Sequence, residues 1–264
     1  MALLWFTFLA ALAAGGFLLG RRLGREDRRA VLTMLVAFTM MAVWSWLVHH
    51  PAVMVQILPL WMLSHIEGVG AVPIFMIVTG VAWARATLPG HKRLTILAAF
   101  FGGIFFLQGS LWMLQPNSAA ALSGRNGDDF VMQSQEYSCV PAACATALRQ
   151  LGFRATEAEM AQLTETRPGT GSTLIRAMTG LSERLAGTPY KVALVEANVH
   201  DLKSLPMPAL TPLQLDSNQL HMVVIQSVTD SWVWIIDPMV GRVGYQRAEF
   251  EAVYLKRVIC FQRE

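Results

Sequence analysis

The stretch Gln133-Ser134-Gln135-Glu136-Tyr137-Ser138-Cys139-Val140-Pro141-Ala142-Ala143 decides how the second half of this 264-residue chain is read. Cys139 stands just before Pro141 and an apolar helical pattern over residues 141–151, which places its sulfur at the amino end of a helix. There the free N–H groups and the backbone dipole stabilise a thiolate, the attacking form of cysteine. Further helical periodicity follows over residues 156–163 and 172–186, with Thr156 and Glu159 spaced as a capping box. Strand-like runs come next at 190–195, 209–215, 220–228, 232–236 and 257–261, rich in Val, Ile and aromatic residues. Helices first and strands later predict an α+β domain whose mainly antiparallel sheet packs against the early helices.

A cysteine nucleophile needs a histidine to take its proton and deliver it to a leaving amine, and a third polar group to orient the imidazole. His221 and Asp237 fit these roles. If the runs 220–228 and 232–236 form a hairpin centred near Asp230, Val223 lies opposite Asp237 and His221 is the diagonal neighbour on the same face. A one-residue slip would send the two to opposite faces. The oxyanion of a tetrahedral intermediate also needs a donor, often a side-chain amide beside the backbone N–H of the nucleophile. Gln133 is the first choice, with Gln135 as the alternative. A blander reading makes Cys139 a packed thiol and His221 a strand residue satisfied by hydrogen bonds.

The quoted stretch, followed by Gly169-Thr170-Gly171-Ser172, His221-Met222-Val223-Val224-Ile225, Asp237-Pro238 with Gly241, and Glu249-Phe250, resembles the bacteriocin-processing cysteine peptidase family in order and spacing. That family includes the double-glycine leader peptidases and their stand-alone relatives. The resemblance covers residues 128–264 and implies a papain-like fold, nucleophile Cys139, base His221, orienting Asp237 and oxyanion donor Gln133. The chain departs from the family pattern at Val140, where glycine is usual, and at Ser138, where aspartate is frequent. Val140 is expected to crowd a substrate backbone near the thiol. Cys144 and Cys260 read as core residues, with a disulfide between them as the alternative.

The first half reads differently. A hydrophobic share of 54% with a charged share of 15% suits neither a disordered nor an ordinary soluble chain, and the excess lies in the first 115 residues. Four apolar stretches, 1–20, 30–48, 69–84 and 94–114, approach the roughly 20 residues that cross a bilayer as a helix. They predict a transmembrane domain over 1–114, then a flexible linker over 115–127 and the peptidase-like domain over 128–264. Residues 1–20 lack the basic leading region of a signal peptide and are read as a retained helix. Arg21, Arg22, Arg25, Arg28 and Arg29 in one loop, and Arg85, Lys92 and Arg93 in another, belong on the cytoplasmic side. The amino terminus and everything after residue 114 then face outward, which in a two-membrane bacterium is the periplasm. Residues 51–64, interrupted by Pro59, are short for a span and suit an interfacial or re-entrant segment; if they cross, the topology inverts.

His49, His50, His65 and Glu67 bracket that segment and could meet as metal ligands, but polar residues at span ends more often mark the water interface. Gly102 and Gly103, with Trp44, Trp46, Trp61 and Trp112, are read as helix-packing and interfacial residues. A net charge of +3, with the arginines beside apolar segments, argues against a nucleic-acid partner. Three cysteines without zinc-ligand spacing give no metal site, and no GxxxxGK[ST] loop points to ATP, so no cofactor is expected. The expected partners are a peptide or protein substrate, the lipid bilayer and a separate exporter, the chain being read as a stand-alone form without an ABC cassette. The leading function is a membrane-anchored cysteine peptidase working through a thioester acyl-enzyme. The alternatives are a thiol amidase or acyl transferase acting on cell-envelope peptides, and a non-catalytic peptide-binding sensor.

Overall fold

A computed structural model of the protein describes residues 2–66, 68–108, 114–115, 119–125, 127, 129–216 and 219–263, without the side chains of 2, 106, 107, 216 and 219. The chain divides into two compact units, one of Met1–Met54 and His65–Leu114, the other of Val55–Ser64 and Gln115–Glu264.

The helical region begins with α1 (Ala2–Leu23) and α2 (Asp27–His49), continues through the short α3 (Pro51–Ile57) and α4 (Leu60–Ile66), and ends with α5 (Val72–Arg85) and α6 (Pro89–Leu107). Two segments, Leu3–Leu23 and Asp27–His49, are long and apolar enough to cross a membrane. Helix α5 is apolar but has 14 residues, short of the span that residues 69–84 predict. Pro59 has no N–H to give to a helical ladder, and the backbone breaks there into α3 and α4 of seven residues each. Neither is long enough to cross a bilayer as a helix, as the short apolar run led us to expect.

Glycine sets the packing of α1 on α5. Gly16, Gly20 and Gly24 recur every fourth residue and so share one helix face. A Cβ at Gly20 would lie 2.1 Å from the Ile77 carbonyl oxygen, and one at Gly80 would lie 2.2 Å from that of Phe17, so the two backbones touch where side chains would hold them apart. The sequence reading had placed glycine packing at Gly102 and Gly103. Gly102 does lie under the Phe75 ring, but nothing stands within 4 Å of a Cβ built at Gly103. Trp44 covers Gly70, Trp46 stacks on His50 at 4.4 Å, and Trp61 is exposed. Trp112 lies outside the described residues. Arg85 donates to the Asp27 carboxylate, which brings the two basic loops to one end of this unit. The histidines have local partners: His49 and His50 ring nitrogens meet the carbonyls of Ser45 and Trp46 at 2.7 and 2.8 Å, and His65 packs edge-on to Trp5. Glu67 lies outside the described residues, among which no group of three or more potential ligands could hold a metal ion.

In the second unit three helices precede a sheet. They are α7 (Cys139–Gln150), α8 (Glu157–Leu163) and α9 (Leu174–Arg184). The strands are β1 (Tyr190–Glu196), β2 (Ala209–Asp216), β3 (Gln219–Val228), β4 (Trp232–Asp237), β5 (Gly241–Gln246) and β6 (Arg257–Arg263), with α10 (Arg247–Val253) before the last. Their order is β1-β6-β2-β3-β4-β5, and every pairing is antiparallel. The peptidase-like half is therefore an α+β domain with an antiparallel sheet. β5 escaped the sequence reading because two glycines and an arginine dilute its pattern; it pairs with β4 at the sheet edge. Val223, Ile225, Val233 and Ile235 are fully buried on one face, packed with Phe250, Tyr254 and Val258.

The stretch read as a flexible linker is partly packed. Ala119 and Leu122 are buried against Ala161, because apolar residues in a small-residue string still gain from leaving water. Thr156 caps α8 by accepting the Glu159 N–H, but the expected return bond is replaced by a pairing of the Glu159 carboxylate with Arg184 at 2.6 Å. All three cysteines are free, which corrects the disulfide alternative for Cys144 and Cys260. Both are buried, and burial pushes the Cys260 thiol up to about 11 and that of Cys144 well above its ordinary value.

Candidate active site

Cys139 is the first residue of α7 and is partly exposed, while Ser138 before it and Val140 after it are buried. Being in the first turn, the Cys139 N–H is one of those without an intrahelical acceptor. Pro141 falls in the same turn, where its missing N–H costs no ladder bond. Val140 is 5% exposed, so its side chain packs inside the domain.

His221 and Asp237 reach each other through strand register. β3 and β4 pair Val224 with Ile236 and Ile225 with Ile235, so continuing the ladder sets Val223 opposite Asp237. Side chains alternate along a strand, which puts His221 on the same face as Val223 and Asp237 on that of Ile235. A bulge between Ile225 and Ser227 shifts the pairing on the turn side only, leaving the register near His221 intact.

The His221 Nε2 and Asp237 Oδ1 atoms are 2.8 Å apart, and both residues are buried. Asp237 also accepts the Met239 N–H at 2.7 Å, which fixes its carboxylate from the other side. With Nε2 taken by Asp237, Nδ1 is the ring nitrogen left for Cys139. Burial works against a charged imidazole, but hydrogen bonds to Asp237 and Cys139 and the charges of both outweigh it and raise His221 to about 9. Burial likewise opposes ionisation of Asp237, yet His221 and the Met239 and Val240 N–H groups hold its carboxyl below the ordinary range.

Gln133 is anchored from both ends of its chemistry. Its backbone N–H donates to the Pro238 carbonyl at 2.8 Å, and its Nε2 donates to the Gln135 carbonyl at 2.9 Å. One N–H of that amide is thus used to orient it and the second is left over. The Gln135 side chain is exposed, and its backbone does the structural work, with its carbonyl also accepting the Ser138 backbone N–H at 3.1 Å. The loop is held by Glu157, which the sequence presented only as an acidic residue in the first turn of a capped helix. Its fully tertiary destination left no local signal.

Residues 128–264 match the Peptidase C39 family. The chain belongs to the peptidase C39 family. This half is accordingly a cysteine peptidase domain. An uncharacterized protein of Methanothermobacter thermautotrophicus is 35% identical over 138 residues, covering 52% of this chain and 91% of that protein. One of Methanothermobacter marburgensis is 34% identical over 141 residues, covering 52% and 92%. Among solved structures, the C39 domain is similar to the peptidase domain of Streptococcus ComA, a bifunctional ABC transporter involved in quorum sensing, at 17% identity and a TM-score of 0.46, covering 52% of this chain and 100% of that one. A C39-like peptidase from Bacillus anthracis gives 14% identity and a TM-score of 0.43, covering 54% and 98%.

Proposed function

We propose that the protein is a membrane-anchored cysteine peptidase that cleaves a peptide or leader substrate near the bilayer, with Cys139 as nucleophile, His221 as its proton partner, Asp237 orienting His221, and Gln133 donating to the oxyanion. The observation that carries this is the 2.8 Å bond between His221 and Asp237 beside a cysteine that opens a helix. In the C39 domain the Cys139 thiolate attacks the scissile carbonyl carbon, and the π pair moves to oxygen, where the Cys139 N–H and the Gln133 amide stabilise it. Collapse expels the amine, which takes its proton from the His221 imidazolium, and leaves a thioester. Water then gives its proton to His221, attacks the thioester and releases the acid and the thiol.

The membrane part of the reading takes residues 1–114 as four spans, with residues 115–127 leading into the catalytic domain of 128–264. It is supported by two helices long enough to cross and by the pairing of Arg85 with Asp27, which joins the basic loops at one end of their unit. Loops of that charge belong in the cytoplasm, so the catalytic domain faces outward from the inner membrane, close to lipid and to any separate exporter.

Comparing secreted and membrane peptides from cells carrying wild-type or Cys139→Ala protein tests the activity: longer precursors should accumulate in the variant, and identical profiles would sink it. A membrane-impermeant maleimide applied to cells with a permeabilised outer membrane should label Cys139; labelling only after lysis would place the domain inside.

A further inference from the structure

Glu157 is a carboxylate buried to 2% exposure that pairs with none of the chain's cations among the described salt bridges. A buried carboxylate is costly unless hydrogen bonds satisfy its oxygens, so its partners indicate what it is kept for. All three described partners lie in the loop that ends at the nucleophile. The Ser134 N–H donates to Oε1 at 2.8 Å, the Ser134 hydroxyl to Oε2 at 2.6 Å, and the Ser138 hydroxyl to Oε1 at 2.6 Å. Short O–H···O⁻ distances of this kind belong to the strong, charge-assisted class.

These two serines flank the Gln135 backbone, whose carbonyl orients the Gln133 amide. Ser138 is fully buried, immediately precedes Cys139, and also accepts the Gln135 N–H. The carboxylate thus fastens one end of the loop beside Gln133 and the other beside Cys139. Gly124 makes room for it, since a Cβ there would stand 3.0 Å from Glu157 Oε2 and 2.3 Å from the Met132 carbonyl oxygen. The clamp itself is well seated: Thr156 caps α8, and Arg149 and Arg184 bond the carbonyls of Ala155 and Arg154 in the turn before it.

We infer that Glu157 is a positioning residue for the oxyanion site, holding the Gln133 amide at a fixed place relative to Cys139 through Ser134 and Ser138. The inference rests on the assignment of Gln133 and Cys139 made above. An amide in place of the carboxylate keeps the shape but brings an NH2 group against serine donors, so the clamp loosens while the nucleophile, His221 and Asp237 are untouched. The consequence is selective. Steps that use only the thiolate survive, and steps that need a placed oxyanion donor suffer, because a displacement of about 1 Å is enough to cost up to about 100-fold.

The test compares two probes on the full chain in detergent. Iodoacetamide alkylates Cys139 through the thiolate alone. Acetyl-glycyl-glycinal adds to it reversibly: the S–C bond forms, the carbonyl π pair moves to oxygen, and that oxygen takes the proton of the His221 imidazolium. In Glu157→Gln the alkylation rate and its pH profile should stay within about threefold of wild type, while affinity for the aldehyde falls about tenfold or more. Aldehyde affinity within twofold of wild type would overturn the inference, and so would a parallel loss in both probes, which signals general disruption. If Glu157→Gln does not fold, Ser134→Ala removes the hydroxyl donor to Oε2 and keeps the backbone N–H and the charge; it should lower aldehyde affinity by a few-fold at constant alkylation, and no loss would overturn the inference. Gln133→Ala separates the underlying reading, since unchanged aldehyde affinity there refutes the oxyanion assignment whatever Glu157 does.

Discussion

The backbone N–H of Gln133 donates to the carbonyl of Pro238, the residue after Asp237, at 2.8 Å. The loop carrying the proposed oxyanion donor is thereby fixed to the end of the strand that carries the proposed orienting carboxylate. Distances among the four candidate residues are set by three rigid pieces: the start of α7, the β3–β4 ladder, and this bond between them.

The two glutamines are therefore predicted to separate cleanly. Gln133→Ala should lower kcat on a cleaved peptide by about 100-fold or more, the usual cost of losing one oxyanion donor. Gln135→Ala keeps the backbone carbonyl that orients Gln133 and should stay within about threefold. Steady-state kinetics on both variants decide it, and equal losses would return Gln135 to contention.

Asp237→Asn should leave the fold in place and change the titration of His221, the proposed proton partner of Cys139. Asparagine can still accept from Nε2, but without the carboxylate charge His221 loses much of what holds it near 9, and burial then favours the neutral ring. Fewer molecules hold the thiolate and imidazolium together at neutral pH. The alkylation rate of Cys139 at pH 7 is predicted to fall by about tenfold or more, with its pH profile moved relative to wild type. A superimposable profile would rule out the orienting role.

The same pair makes stability depend on pH. His221 has a folded value of about 9 against an ordinary 6.5, so its contribution is complete below pH 6.5 and is lost as pH rises through 9. The loss is about 3 kcal/mol at most. Asp237 has the opposite sense: its depressed value stabilises the fold above the ordinary carboxylate range, and that stability disappears as acid protonates it. Urea midpoints of the full chain in detergent, read by exposure of the buried Cys144 to a thiol reagent, should fall between pH 6.5 and 9.5. In His221→Gln that fall should be reduced.

Much of the placement of Cys139, His221 and Asp237 was legible because it depends on short-range rules. A cysteine before a proline and an apolar helix fixes a helix start, and two alternating runs around Asp230 fix a register to within one bulge. What stayed hidden depends on tertiary company. Nothing near Glu157 in sequence announces that its carboxylate will be buried under Ser134 and Ser138, and the capping-box spacing at Glu159 misled because Arg184, 25 residues away, takes its carboxylate. In the helical unit, hydropathy located α1 and α2 but could not say which glycines meet a neighbouring backbone, so Gly103 looked equivalent to Gly102 and Gly20 passed unnoticed.

That last difference gives a paired prediction. Gly20→Leu places a side chain where a Cβ alone would come within 2.1 Å of the Ile77 carbonyl, backbone that cannot swing aside. Overpacking of this kind costs roughly 1–3 kcal/mol, so the melting temperature in detergent should drop by several degrees. Gly15→Leu, five residues earlier, points into open space and should leave the melting temperature nearly unchanged.

The thiols supply the final prediction. Cys144 and Cys260 are buried and free, on α7 and β6, and burial holds both thiols above their ordinary range. Cys139 is partly exposed, and its partner imidazole, His221, is raised to about 9, which favours the charged ring beside the thiol. Reactivity follows the thiolate and its access, so the three should sort without any mutation. Brief iodoacetamide treatment of the folded protein at pH 7 should add one carbamidomethyl group, mapped by mass spectrometry to Cys139. The same treatment in denaturant, without reductant, should add three. Finding only one in denaturant would mean that Cys144 and Cys260 are joined in the isolated protein, which the free thiols of the structure argue against.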